Sequence, residues 1–196
     1  MYTIYGVGIG STLLGGITRQ SLSLGAQVNA VNTSGAEFTK FLSIAGYKPV
    51  AAFDTLAVGI ALAAAGLSGL AITSAAPLKL YCYKEVDGGS RSAGADHEIR
   101  TINKGLLIPE RLTCRHGGDA SISYRCYATY DGTNAPVVPT TAAVSSTAPT
   151  DTERFGLGPA KIGGTLFPYV TDMGLDFGIG ARTLGYDGEL YDRWAS

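Results

Sequence analysis

The sequence predicts a mainly β fold (β+α): a sandwich or barrel of antiparallel strands with one or two flanking helices. Three observations lead there. Glycine is in excess, 27 of 196 residues, which reads as many turns between short strands. Apolar residues alternate at period two in several runs, most clearly in Pro77–Lys84 and Ser121–Tyr130, the pattern of strands with one buried face. Helix signals occur in only two stretches, one around 35–45 and one beginning near Leu56.

Composition sets the outer bounds. Hydrophobic residues make up 45% of the chain and charged residues 16%, enough apolar material for a full core without staples and the wrong balance for a disordered chain or a coiled coil. The net charge of −1 argues against a nucleic-acid binder that depends on phosphate contacts.

Along the chain, Thr3–Val7 reads as a first strand, Gly15-Gly16 as a turn, and Ser21–Leu24 as a half-buried strand. Ser34-Gly35-Ala36-Glu37 has the form of a capping box. Phe38, Phe41, Leu42 and Ala45 follow at helical spacing, with Gly46 as a C-terminal stop, so a helix is expected over 35–45, anchored by Phe38, Phe41 and Leu42. Val50–Phe53 reads as a short strand. The uncharged run Leu56–Ile72 is too short and too rich in Ala and Gly to span a membrane, which takes about 20 strongly apolar residues. It reads as a buried helix of roughly three turns, capped by Asp54 or Thr55, closed by Gly66 and followed by a turn at Ser68-Gly69.

Leu78, Leu80 and Cys82 are expected on one face of the next strand, with Lys79, Tyr81 and Tyr83 on the other. Residues 87–96 read as a mobile loop. Strands follow over His97–Ile102, Gly105–Cys114 and Ser121–Tyr130. Residues 132–153, rich in Pro, Thr, Ala and Ser, read as a long surface loop.

The residues that carry chemistry are sparse. The N-terminus lacks the basic segment of a secretion signal, and three cysteines form no disulfide framework, so a reducing cytoplasm is the expected place of folding. Gly6-Val7-Gly8-Ile9-Gly10 lacks the spacing of a dinucleotide fingerprint and reads as a strand bend. His97, Cys114, His116 and Cys126 are too loosely spaced for zinc. Asp96-His97-Glu98 is an acid–base cluster without a second fixed carboxylate. The expected catalytic, cofactor-binding and metal-ligating sets are therefore empty, and the chain is not expected to be an enzyme.

The end of the chain echoes its beginning. At a shift of 153, Leu22, Gly25, Gly35 and Ser43 meet Leu175, Gly178, Gly188 and Ser196. Leu24, Val31, Phe38, Lys40 and Phe41 meet Phe177, Leu184, Tyr191, Arg193 and Trp194. Residues 1–162 then form a β domain and residues 163–196 the start of a second, repeat-like unit, a half-copy expected to run as strand, glycine bend, strand and capped helical turn. Such an orphan strand needs a partner, in its own sheet or a neighbour's.

Leu14-Gly15-Gly16-Ile17-Thr18, Thr101–Pro109, Tyr130–Pro136 and Asp176-Phe177-Gly178-Ile179, together with the layout of most of the chain, resemble bacteriophage tail proteins of the tail-tube type. The resemblance implies a virion structural subunit, made in the host cytoplasm, whose sheets join side by side into stacked rings that conduct DNA. Its implied partners are copies of itself and other tail proteins. DNA would only pass through the lumen, without sequence recognition, and no membrane is involved. The repeat departs from a one-unit tube subunit and would imply trimeric rings with pseudo-sixfold symmetry. A second reading is a receptor- or carbohydrate-binding β domain of a fibre or baseplate, with Tyr81, Tyr83, Tyr124, Tyr127 and Tyr130 as a sugar platform.

Overall fold

The computed structural model describes residues 2–31, 34–35, 41–84, 96–143, 154–184 and 193–195. Two antiparallel sheets contribute to one core. The first has the order β12 (Val138–Ala143), β9 (Asp96–Ile102), β8 (Leu78–Lys84), β1 (Tyr2–Ile9), β2 (Thr12–Leu14). The second runs β15 (Asp172–Asp176), β10 (Gly105–Arg115), β11 (Ser121–Ala128), β6 (Val50–Thr55), β3 (Ile17–Ser23), with the short β7 (Leu70–Ile72) also on β10. Three further strand pairs stand outside these sheets: β4 (Ala26–Val31) with β5 (Phe41–Tyr47), β13 (Ala160–Ile162) with β14 (Thr165–Phe167), and β16 (Arg182–Leu184) with β17 (Arg193–Ala195). The mainly β class is as the sequence predicts, with one helix among the described residues, α1 (Val58–Ala65).

Period-two alternation builds the core. In β6 and β11 every second residue is buried, because successive side chains leave opposite faces of a strand. Phe53, Ile122, Tyr124 and Cys126 from the second sheet join one cluster with Val7, Leu14, Leu78, Leu80 and Ile102 from the first. In β8, Leu78, Leu80 and Cys82 are buried as expected, but so is Tyr83. Its ring sits 4.9 Å from His97 and 6.5 Å from Tyr5, an aromatic cluster on the face that alternation alone assigns to solvent.

The helix expected over 35–45 does not form where the structure describes it. Phe41–Tyr47 is a strand paired with β4, so Phe41 faces Val31 and Leu42 faces Ala30. Leu42 is 72% exposed and anchors nothing among the described residues. Gly46 lies within β5 opposite Gln27 and stops no helix. Ser34-Gly35 is a turn with Gly35 at φ +80°, a role that the same two residue types fill as readily as a cap. Phe38 lies outside the described residues.

The Ala-rich helix is present but shorter than expected. Gly66 closes it at φ +71°, its N–H donating to the Leu62 carbonyl at 2.8 Å. The segment after the Gly69 turn returns as β7 against Leu70–Ile72's partners Gly105–Leu107. At the start, the buried Thr55 hydroxyl donates to the Gly15 carbonyl at 2.9 Å and accepts the Ala57 N–H at 3.0 Å. It ties the Gly15-Gly16 turn to the helix entry. Thr55→Val keeps the volume and orphans both backbone groups, so it is expected to cost about 1–3 kcal/mol, read from denaturant unfolding.

The stretch 132–153 is not wholly loop. Val138–Ala143 forms β12, an outer strand of the first sheet along β9. Pro139 is compatible with an edge position, where a missing N–H costs no ladder bond on the open side. The loop expected at 87–96 lies outside the described residues, except for Asp96 at the start of β9.

Candidate functional site: two open sheet edges and their hairpins

Residues that the sequence offers for chemistry are dispersed by the fold. Cys82, Cys114 and Cys126 are free and buried. Burial pushes the Cys126 thiol well above its usual range, and burial is also the leading cause of the upward shift at Cys82, so neither is primed as a thiolate. His97 lies in the aromatic cluster of the first sheet, while Cys114 and Cys126 belong to the second. Among the described residues no group of three or more His, Cys, Asp or Glu side chains is placed to hold a metal. Glu98 is paired with Arg100 at 2.7 Å, and neighbouring His97 leaves the strand on the opposite face.

Two of the five tyrosines expected in a sugar platform, Tyr83 and Tyr124, are withdrawn from solvent, whereas Tyr130 is 41% exposed. Tyr124 is fully buried, stacked on Phe53 with ring centroids 5.3 Å apart, and burial pushes its phenol up to about 12. Tyr83 is buried in the other sheet. Alternation along β8 puts Tyr81 and Tyr83 on the face away from the core, whereas Tyr124 points into it.

An open cavity of about 910 Å³ lies between the β7 end and the 129–134 turn, with Lys104, Asp131 and Asn134 at its rim and Ile72 and Leu106 in its lining. Asp131 organises the turn. One carboxylate oxygen accepts the Thr133 and Asn134 backbone N–H groups at 2.7 and 2.6 Å, and the other accepts the Asn134 side-chain amide at 3.0 Å. The Asn134 backbone N–H, then its side-chain amide, hold the carboxyl below the usual carboxylate range. A depressed folded-state value means that the turn is stabilised at neutral pH and loses that support as pH falls through it. An NMR titration of Asp131 is expected to show a midpoint below that of the unfolded chain, with Asp131→Ala loosening 131–134 at pH 7 but changing little in acid.

The most distinctive geometry is at the margins of the second sheet. β3 and β15 are its two outer strands. Each has a ladder partner on one side only among the described residues, β6 for β3 and β10 for β15. Since every neighbour in the order is antiparallel, β3 and β15 run in the same direction. They are also the segments that the 153-residue shift superimposes, Leu22 on Leu175. The segment expected to be a half-copy therefore enters the sheet of the first 162 residues through β15.

Beyond each edge strand the chain bends at a matched glycine, Gly25 at φ +57° and Gly178 at φ +63°, and enters a hairpin, β4–β5 or β16–β17. The capped helical turn expected in both units is replaced by a returning strand, with 185–192 outside the described residues. The hairpins differ by one residue in register: Val31 faces Phe41, whereas its counterpart Leu184 faces Arg193, the counterpart of Lys40.

These margins leave apolar side chains in water. Leu24, Val28, Leu42 and Ile44 on the first unit, and Met173, Leu175 and Leu184 on the second, are all more than two-fifths exposed. Sequence patterning identifies such residues as apolar but not as uncovered. No helix among the described residues is long and apolar enough to cross a membrane. No family model, no curated protein and no solved structure matches the chain.

Proposed function

We propose that this chain is a non-enzymatic structural subunit of the phage tail-tube type, which assembles with copies of itself, and with other tail proteins, into stacked rings that conduct DNA in a virion. One observation carries the reading: a sheet with two edges that are open among the described residues, each continued by a hairpin with apolar side chains that those residues leave exposed. Isolated two-stranded hairpins are marginal in water, and open strand edges with exposed apolar residues tend toward pairing with another chain. Copies of the same chain satisfy both needs at once.

Electron microscopy of the purified full chain at rising concentration tests this. Hollow rings or stacked tubes are the expected result. A protein that stays monomeric at high concentration, with its sheets intact by circular dichroism, would refute the reading. The polar-rimmed cavity beside Lys104, Asp131 and Asn134 favours a second reading, a carbohydrate- or receptor-binding module, and a glycan array separates the two.

A further inference from the structure

We propose that the β3 edge of one copy pairs in parallel with the β15 edge of the next, so that the second sheet continues head to tail from copy to copy. This rests on the self-assembly reading and names the surface that carries it. The occupant of each edge is a second copy of this chain, presenting the opposite edge.

Strand direction defines the alternatives. Because β3 and β15 run the same way at opposite margins, a copy added without being turned over meets β3 with β15 as a parallel pair. A copy rotated by half a turn in the plane of the sheet instead brings like edges together, β3 with β3 or β15 with β15, as antiparallel pairs. The first arrangement leaves one edge of each kind open and continues through a single kind of contact; the second closes one kind of edge in a dimer and continues only if the other like edges also pair.

Charge separates these arrangements. On the outer face, β3 carries Arg19 and no acid, while β15 carries Asp172 and Asp176 and no base. Arg19 is bound at 2.9 Å to Asp54 of the adjoining strand, and Asp172 at 3.1 Å to Arg115. Arg19 is 62% exposed and Asp172 66%, so these in-chain pairs hold their partners weakly. A β15–β15 pair centred on Gly174 would set Asp172 against Asp176 twice, and like charges directly opposite one another are unfavourable. A β3–β15 pair sets a cation beside acids.

The inner face agrees. Met173 and Leu175 lie opposite Cys114 and Leu112, on the core side of β10, yet they are 42% and 48% exposed. They lie at the rim of the core with nothing further out to cover them among the described residues. Leu22 lies on the core side at the other rim, packed against the cluster. Head-to-tail pairing brings Leu22 of one copy toward Met173 and Leu175 of the next, extending the apolar layer across the junction.

The test is a charge swap in the full chain, read by sedimentation velocity. Arg19→Glu alone, and Asp172→Lys with Asp176→Lys, are each expected to weaken association by about tenfold or more. All three changes in one chain should restore it. Arg19→Glu protein retains a normal β15 edge, so a small fraction added to wild type should shorten the assemblies by capping their β3 ends. Hydrogen exchange supplies an independent reading: the β3 and β15 amides should become protected together on assembly. Assemblies that survive both charge variants, with unprotected edge amides, would overturn the edge pairing while leaving self-assembly standing. A wild-type chain that never associates would overturn both.

Discussion

Phe53→Ala is expected to destabilise the folded chain by about 3–5 kcal/mol, the range for truncating a fully buried aromatic ring. Phe53 is wholly inaccessible to solvent and its ring stacks on Tyr124 at 5.3 Å. It lies on β6 between Gln20 of β3 and Tyr124 of β11, so the void would open in the middle of the second sheet, where three strands have to relax together to fill it. Against a total stability of about 5–15 kcal/mol this is a large fraction. For a domain of this size it corresponds to roughly 6–20 °C in melting temperature. Leu42→Ala is the matched control. Leu42 is apolar and 72% exposed on β5, so the same truncation there should leave the melting temperature of the unassembled chain unchanged within error. Calorimetry on both variants at low concentration checks the pair. A cost at Leu42 comparable with that at Phe53 would mean that the hairpin is folded onto the core.

Gly25→Ala should be far more damaging than Gly178→Ala, although the two glycines occupy matched bends. Both have left-handed backbones, φ +57° and φ +63°, so each substitution incurs about 1–2 kcal/mol from the Cβ of an L-residue in that region. The surroundings differ. A Cβ on Gly25 would collide with the Lys48 carbonyl group, whereas among the described residues nothing lies within 4 Å of one on Gly178. The Lys48 N–H also donates to the Gly25 carbonyl at 3.2 Å, so the collision falls on the contact that closes the base of the β4–β5 hairpin. Because the obstacle is backbone, no side-chain rotation relieves it. Gly25→Ala is therefore expected to exceed the conformational cost alone and to raise hydrogen exchange throughout β4 and β5. Gly178→Ala should show only the conformational part, confined to the bend. Equal effects at both sites would remove the steric argument and leave conformational strain as the whole cause.

The contrast between those glycines marks where local sequence stops being informative. Leu78–Cys82 and Ser121–Ala128 are legible as strands because alternation is a property of a strand by itself: one face is buried whatever the partner. Gly25, Gly66 and Gly178 are legible as bends or stops because a left-handed backbone is a local demand. The expected cap at Asp54 or Thr55 is not formed: the N-cap position falls to Ala57, without a side-chain cap bond, and the Thr55 hydroxyl holds only the Ala57 N–H ahead of the helix.

Residues 41–47 fail that test. Phe41, Leu42 and Ala45 fit a helix and a strand about equally over so short a span, and Ser34-Gly35 serves a cap or a hairpin turn. The choice falls to pairing with Ala26–Val31, and such tertiary pairing overrides local propensity. Val138–Ala143 becomes a strand for a similar reason: β9 presents an unpaired edge to it, some forty residues away in sequence.

The mainly β class, the strands whose faces alternate, the glycine bends and the likeness between the two ends of the chain are all written in local patterns of residues. That those two ends form opposite margins of one sheet, running in the same direction, emerges from the folded topology alone. That placement follows from ladders between residues far apart in the chain, Leu112 with Leu175 and Phe53 with Gln20. Such register is set by which inner faces pack together on the core, and no local pattern of apolar residues records it.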